Sequence, residues 1–357
     1  MTLDLGLPPA ELALRLVDIP SPSGHETALA DAVAAALEQV EHLEVLRDAD
    51  AVVARTNLAG RGGGARTLVA GHLDTVPIVG NVPGRIDGGQ LIGRGSVDMK
   101  GGLAAMLHTA ALPPAGDVTW VFYDHEEVAY AASGLGRLIR NHPEWLAASF
   151  GILCEPTGAA LECGCNGTIR VRLMAHGQAA HSARPWTGLN AVHRLAPALN
   201  WLAAYEGDVV RLDGLDYRES ISAVGVAGGA GGNVIPDYAD LLVNYRFAPN
   251  KTQAQAIDRL RNLFDGYELR VEDSAPAAPP ALDHPQARRL AGIVTAHGGG
   301  QPKAKQGWTD VARLAERGIP AVNLGPGNPE MAHQDAEACP LEQIDQVAAI
   351  LAEYLVA

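Results

Sequence analysis

A large α/β domain interrupted by a smaller ferredoxin-like α+β insertion is the architecture that this chain predicts. Three observations carry the prediction. Over the first half, short apolar runs alternate with helical periods, the pattern of a mixed, largely parallel sheet covered by helices. Near Gly167 the pattern changes to alternating strands and amphipathic helices in the order β-α-β-β-α-β. After a Pro- and Ala-rich linker, "APAAPPALDHP" (275–285), the α/β character returns. The boundaries expected are 1–167 and 283–357 for the large domain and 168–282 for the insertion. A length of 357 residues suits two domains.

The elements follow in order. "ETALADAVAAALEQV" reads as a helix by composition and period. "TLVAGHLD" is a buried strand that ends in polar residues. "DMKGGLAAMLHTAAL" is helical, "VTWVFYDHEE" a strand, "SGLGRLIRNH" a helix, and "SFGILCEPTG" a strand followed by a turn. In the insertion, "TIRVRLMAHG" alternates as a half-exposed strand does, and "GLNAVHRLAPALNWLAAYE" reads as one amphipathic helix. "SISAVGVAGG" and "VIPDYADLLVNYRFAP" are two strands with a Gly-rich joint, "TQAQAIDRLRNLF" is a helix and "YELRVEDSAP" a strand. "HPQARRLAGIVTAHGGG", "IPAVNLGPG" and "LEQIDQVAAILAEYLV" complete the large domain. No internal repeat is present.

Composition removes several classes of function. Apolar residues make up 47% of the chain and charged residues 19%, which suits a globular protein with real cores. The formal net charge is -14 and Lys/Arg runs are absent, which argues against nucleic acid and anionic membrane as partners. The start of the chain lacks a basic segment followed by an apolar stretch, so no signal peptide is expected. No window approaches the ~20 apolar residues of a membrane-spanning helix. Cys154, Cys163, Cys165 and Cys339 have no zinc-knuckle or redox-pair spacing and read as reduced, buried thiols of a cytoplasmic protein.

In open α/β sheets, sites form beyond the carboxyl ends of the strands. His72 and Asp74 end one strand, and Asp98 opens the helix that follows. Glu126 and Glu127 end "VTWVFYDHEE", Glu155 ends "SFGILCE", and His333 follows "IPAVNLGPG". Singly, each has an ordinary explanation: an Asp beside a helix start caps it, and a Glu at a strand end is solvated. Five strand ends converging on one side are harder to explain that way. Imidazoles mixed with carboxylates suit zinc or a similar divalent metal. Five ligands exceed one tetrahedral site and suit two metals ~3.5–4 Å apart that share a carboxylate. Neighbouring residues in a strand point to opposite faces, so both glutamates reach one site only where the strand breaks. "EEVAYAASG" looks like such a break. One Glu can then bind metal while the other handles protons.

Competing motifs are weak. "DHEEVAY" lacks the second histidine of His-Glu-x-x-His, and no phosphate-loop motif is present. Gly62–Gly64 and Gly228–Gly232 read as turns. Ser133 and Ser182 show no nucleophile elbow.

With "GHLDTVP", "GRGSVDMKGGLAA", "DHEEVA", "CEPT", "AAHSARP", "GNVIP" and "AHQDAE", the whole chain resembles the dinuclear zinc amidohydrolases. That family includes carboxypeptidases, aminoacylases, acetylornithine deacetylase and succinyl-diaminopimelate desuccinylase. "GSVDMKGG", "YDHEEVA" and "GPG" followed by "AHQDAE" resemble the actinobacterial desuccinylase branch. The resemblance implies a zinc-peptidase-like catalytic domain and a lid that serves dimerisation. It implies two Zn2+ per chain, with Co2+ able to substitute: His72 and Glu155 on one, Glu127 and His333 on the other, Asp98 bridging. It makes Glu126 the general base, Asp74 the orienter of His72, and His181 the polariser of the scissile carbonyl, supplied by the partner in a homodimer. Asn233 and Arg246 match lid residues that hold substrate, and Arg184, Asn166, Thr309, Gly325 and Asn328 join the substrate contacts. Asn166 and Arg184 stand where some relatives carry arginine and tyrosine, so the carboxylate contacts are expected to be redistributed. The activity implied is hydrolysis of a small anionic N-acyl amino acid, N-succinyl-LL-2,6-diaminopimelate. Another N-acyl amino acid deacylase, a zinc carboxypeptidase or dipeptidase, and a metal-free binding protein with a relict site are the alternatives.

Overall fold

The computed structural model describes residues 3–56, 66–229 and 231–356. The string Gly62–Gly64 lies outside them, as does one residue of the Gly228–Gly232 stretch. The chain divides into two compact units. The first comprises 1–164, 280–304 and 309–357, the second 165–279 and 305–308.

The first unit is built on an eight-stranded mixed sheet. From edge to edge it runs Leu43–Asp48, Ala51–Thr56, Val118–Tyr123, Thr67–His72, Phe150–Leu153, Ala321–Asn323, Glu162–Cys163 and Lys303–Ala304. The strands from Val118–Tyr123 to Ala321–Asn323 are mutually parallel. They are buried along their whole length, which is why they read as continuous apolar runs rather than alternating ones. Trp120, Phe122 and Phe150 are fully buried there, each contributing about 1.5–3 kcal/mol by burial. Helices Pro9–Val17, Gly101–Ala110 and Leu341–Val356 pack together in this unit. All four cysteines are buried and unbridged. Among the described residues no helix is long and apolar enough to cross a membrane.

The second unit has the order β-α-β-β-α-β, formed by Gly167–His176, Ala191–Arg194 with Ala196–Ala204, Ser220–Gly228, Tyr238–Phe247, Gln253–Leu263 and Glu268–Ala275. Its four-stranded sheet is antiparallel throughout. Tyr238–Phe247 and Gly167–His176 lie in the middle, and Ser220–Gly228 and Glu268–Ala275 form the edges. Ile169, Val171 and Leu173 point into its core, with Leu195, Leu241, Val243 and Leu260.

Three details differ from the sequence expectation. The helix expected across "GLNAVHRLAPALNWLAAYE" is two helices, because Pro197 lacks an N–H and its ring collides with the carbonyl four residues back. "VIPDYADLLVNYRFAP" is likewise two strands: Val234–Ile235 leaves the sheet to pair with Ala180–His181. A hairpin of Val209–Leu212 and Leu215–Arg218 was not foreseen. The chain also returns to the second unit at Lys305–Trp308. There the Gln306 side chain accepts from Arg218 N and donates to the Asp216 carbonyl, and Trp308 Nε1 donates to the Pro276 carbonyl.

Candidate active site

The parallel strands of the first unit end together, and the residues after them supply a cluster. Glycine permits the closeness. A Cβ at Gly102 would lie 2.2 Å from the Cys154 carbonyl oxygen, and one at Gly325 would lie 2.3 Å from it. The helix Gly101–Ala110 and the segment after Ala321–Asn323 therefore close on the strand end that carries Glu155. Asp98 sits in the segment Ser96–Lys100, out of helical geometry at φ -120° and ψ 95°, and the Asp98–Met99 peptide is cis.

Two groups of donor atoms share Asp98. His72, Asp98 and Glu155 form one and Asp98, Glu127 and His333 the other, with the ligand atoms of each within 4.8 Å of one another. His72 Nε2 is 3.0 Å from Asp98 Oδ1. His333 Nε2 is 2.9 Å from Glu127 Oε1 and 3.3 Å from Asp98 Oδ2. The carboxylate of Asp98 thus presents one oxygen to each imidazole. His72 Nδ1 is 2.9 Å from the Asp74 carbonyl oxygen. A carbonyl only accepts, so Nδ1 carries a proton whatever the charge of the ring, and Nε2 is the nitrogen turned to the cluster, where it can bind a metal once its own proton is displaced. Two imidazole nitrogens and three carboxylates in two overlapping sets fit a pair of divalent cations by donor chemistry and by count.

The neighbouring glutamates reach the cluster because the strand stops at Tyr123. His125 takes a left-handed φ of +59°, held between Asp124 and the buried Glu26. The Asp74 carboxylate then accepts from Glu126 N at 2.9 Å, Glu127 N at 3.0 Å and the Ser23 hydroxyl at 2.7 Å. One buried aspartate therefore sets the backbone of both glutamates.

The electrostatics are strongly coupled. Burial disfavours charge on His72, yet its hydrogen bonds to Asp74 and Asp98 outweigh this and hold its pKa well above the usual value. Hydrogen bonds to Asp98 and Glu127 raise His333 to about 10. Burial would raise Asp98, but the two imidazoles drive it far below the usual carboxylate range. Glu126 is pushed well up by burial and by Glu155 and Glu127, against the pull of His72.

The remaining candidates are distributed over both units. In the second, His181 and Asn233 are neighbours: His181 pairs with Val234 and the Asn233 carbonyl accepts from Ser182 N. Arg184 is exposed. Asn166 and Arg246 line a cavity of about 590 Å³ together with Arg218, Ser220 and Gln306. Arg246 has Nε on Asn244 Oδ1, and burial and Arg170 lower its pKa. In the first unit, Thr309 donates its hydroxyl to Asn323 Oδ1, and Gly325 N donates to the Thr157 hydroxyl. Asn328 Oδ1 accepts from Glu330 N. The sequence reading gave no role to Arg218 or to Glu337. "AHQDAE" contains Glu337, so its signal was present.

The family model described as Peptidase family M20/M25/M40 matches residues 68–357. A succinyl-diaminopimelate desuccinylase of Corynebacterium glutamicum is 46% identical over 365 residues, covering 99% of this chain and 97% of the relative. A Mycobacterium tuberculosis protein provisionally given the same name is 49% identical over 358 residues, covering 99% of each. Among solved structures, an aminopeptidase of Bacillus cereus aligns over 99% of this chain and 98% of its own, with a TM-score of 0.77 at 19% identity. An M20 family metallo-carboxypeptidase of Sulfolobus solfataricus aligns over 97% and 98%, with a TM-score of 0.77 at 15% identity. These two likenesses establish the fold. The chain belongs to Peptidase family M20/M25/M40.

Proposed function

We propose that the protein is a succinyl-diaminopimelate desuccinylase, which hydrolyses the amide bond of N-succinyl-LL-2,6-diaminopimelate to succinate and LL-2,6-diaminopimelate. The observation that carries this reading is the 46% identity over essentially the full length of both chains to the Corynebacterium glutamicum protein of that name. The donor set around Asp98 supports the metal-dependent chemistry.

His72 and Glu155 would hold one divalent cation and Glu127 and His333 the other, with Asp98 shared; we infer zinc, with cobalt able to substitute. When bound, the ions supply Lewis acidity that polarises a carbonyl and acidifies water. Glu126 accepts the proton of the attacking water at its carboxylate and returns it to the leaving amine. Burial and the neighbouring Glu155 and Glu127 raise its pKa, the direction that favours holding a proton between the two transfers. Asp74 keeps His72 in the Nδ1–H tautomer and holds both glutamates by their amides. The role given to His181, donation to the scissile carbonyl oxygen, comes from the family resemblance, as do the substrate contacts of Asn233, Arg184, Thr309, Gly325 and Asn328. The cavity with Arg246, Arg218 and Asn166 suits a carboxylate, since its guanidinium groups have the charge and fork geometry for one.

We also infer a homodimer through the second unit. Its edge strand Ser220–Gly228 has one neighbour in the sheet and exposes Val224 at 56% and Val226 at 67%. An uncovered apolar edge invites pairing with a second copy. Sedimentation at micromolar concentration should give a dimer that Val226→Lys weakens; a monomeric wild type removes this reading.

Initial rates with added zinc on N-succinyl-LL-2,6-diaminopimelate, N-acetylornithine and a dipeptide panel test the substrate. The succinyl compound should have the highest kcat/KM. Faster turnover of acetylornithine or of a dipeptide would replace this reading with that of a different deacylase or a peptidase.

A further inference from the structure

Glu337 is 1% exposed and has both carboxylate oxygens engaged. Oε1 accepts from Val97 N at 2.9 Å and from Asp98 N at 3.1 Å. Oε2 accepts from Gly95 N at 3.1 Å and from Arg94 Nη1 at 3.0 Å. Arg94 is anchored in turn on the carbonyls of Pro77 and Gln334. The Glu337 carbonyl accepts from Gly93 N, and the strand Ala338–Pro340 that follows pairs with Gln90–Ile92. One buried anion therefore gathers three amides of the stretch Gly95–Asp98 and a guanidinium around the segment that carries Asp98. It stands four residues after His333, so it joins the segments of two cluster residues that are far apart in the chain.

We propose that Glu337 is a positioning residue of the metal centre: by accepting from the Asp98 amide it sets where the shared carboxylate stands relative to the His333 segment. The inference rests on the reading of Asp98 as a shared metal ligand. An ordinary structural role would leave Glu337 as glue between two loops. The geometry favours the positioning role, because its Oε1 bonds are made to Asp98 itself and to the residue before it. Another heavily used buried carboxylate, Glu219 of the second unit, bonds Ala248 N, Tyr245, Lys251 and Arg259, none of them in the cluster.

Glu337→Gln keeps the shape but replaces one acceptor by a donor. In either orientation an NH2 group then faces amide or guanidinium donors. Partners that hold metal ligands typically change metal affinity about 10–100-fold when mutated. The full-length variant, stripped of metal and shown to be folded by circular dichroism, is titrated with Co2+, and chelator competition and the visible spectrum are recorded. Binding of at least one equivalent should weaken about 10–100-fold, with an altered cobalt spectrum. Glu219→Gln should lower the melting temperature and leave both readouts unchanged. Wild-type affinity and spectrum in folded Glu337→Gln would overturn the proposal. If Glu337→Gln fails to fold, Glu337→Asp keeps the charge beside Arg94 but is one methylene too short to serve all four donors. It should still bind Co2+ more weakly than wild type, and unchanged affinity there overturns the proposal equally. Asp98→Ala separates the two levels: if it binds metal as wild type does, the reading of the centre fails. If it loses metal while Glu337→Gln keeps it, only this inference fails.

Discussion

The two halves of the cluster use the same chemistry in opposite surroundings. His72 is 1% exposed, ends a central strand and has its second nitrogen fixed by Asp74. His333 is 53% exposed and lies in a loop with a left-handed φ of +66°. Its partner Glu127 follows a broken strand end, whereas Glu155 follows an intact one. Equal donor sets therefore need not bind equally. The buried half is preorganised by the sheet, while the exposed half depends on two turns, and it should exchange its metal first.

The largest effect expected is that of Asp98→Ala, which removes the carboxylate common to both donor sets. It should lose both metals and nearly all activity, read as metal content per chain by atomic absorption. Two full equivalents on this variant would break the picture of a shared carboxylate. Glu126→Gln should do the reverse in one respect: it keeps both metals and loses about 10²–10⁴-fold or more in turnover. An active Glu126→Gln enzyme would mean that the neighbouring glutamates divide their work differently.

His333→Ala sharpens the comparison directly. It should empty mainly the exposed half and leave about one equivalent per chain, and dialysis of the wild type against a chelator should pass through the same one-metal state. Simultaneous loss of both metals would show that the halves are not separable. The smallest effect is a pH dependence. In the metal-free protein both histidines have raised pKa values, His333 at about 10. A raised folded pKa stabilises below the unfolded value of roughly 6.5, and that contribution is lost as pH rises toward 10. Metal-free protein should therefore lose melting temperature over that range, and the metal-loaded protein should lose less. Apparent metal affinity should rise with pH over the same range, because binding must displace these protons. A flat metal-free profile would sink the charge assignment.

Much of this was legible from residue type and position. The central strands announce themselves because burial on both faces demands unbroken apolar runs, and the cluster residues follow them directly. The adjacent glutamates also signalled that their strand must break; the break falls after Tyr123, ahead of both glutamates rather than in "EEVAYAASG". What escaped notice did so for physical reasons. The hairpin Val209–Leu212 with Leu215–Arg218 is short, and the alternation of Val210, Leu212, Leu215 and Tyr217 with more exposed neighbours covers only two pairs of positions. Its stronger signal is Asp213-Gly214, both at positive φ, a turn of the kind that joins two strands. Glu337 stood inside the quoted "AHQDAE", but three of its four donors are backbone amides, which every residue has, and the fourth, Arg94, lies 243 positions away, so nothing local marked its role. Pro197 was in plain view, and there helical periodicity was read over a residue that breaks it.

The bond from Asp98 to Glu337 spans 239 positions of the chain. During synthesis at roughly 5–20 residues per second, a ribosome needs about 12–48 s to travel that distance. From Glu155 to His333 it travels 178 positions, about 9–36 s at that rate, and for that part of the interval a nascent chain can display His72, Asp98, Glu127 and Glu155 while His333 and the anion that fixes the Asp98 loop do not yet exist. A metal ion captured early would meet only half of its destination, so loading of the complete pair belongs to the finished polypeptide.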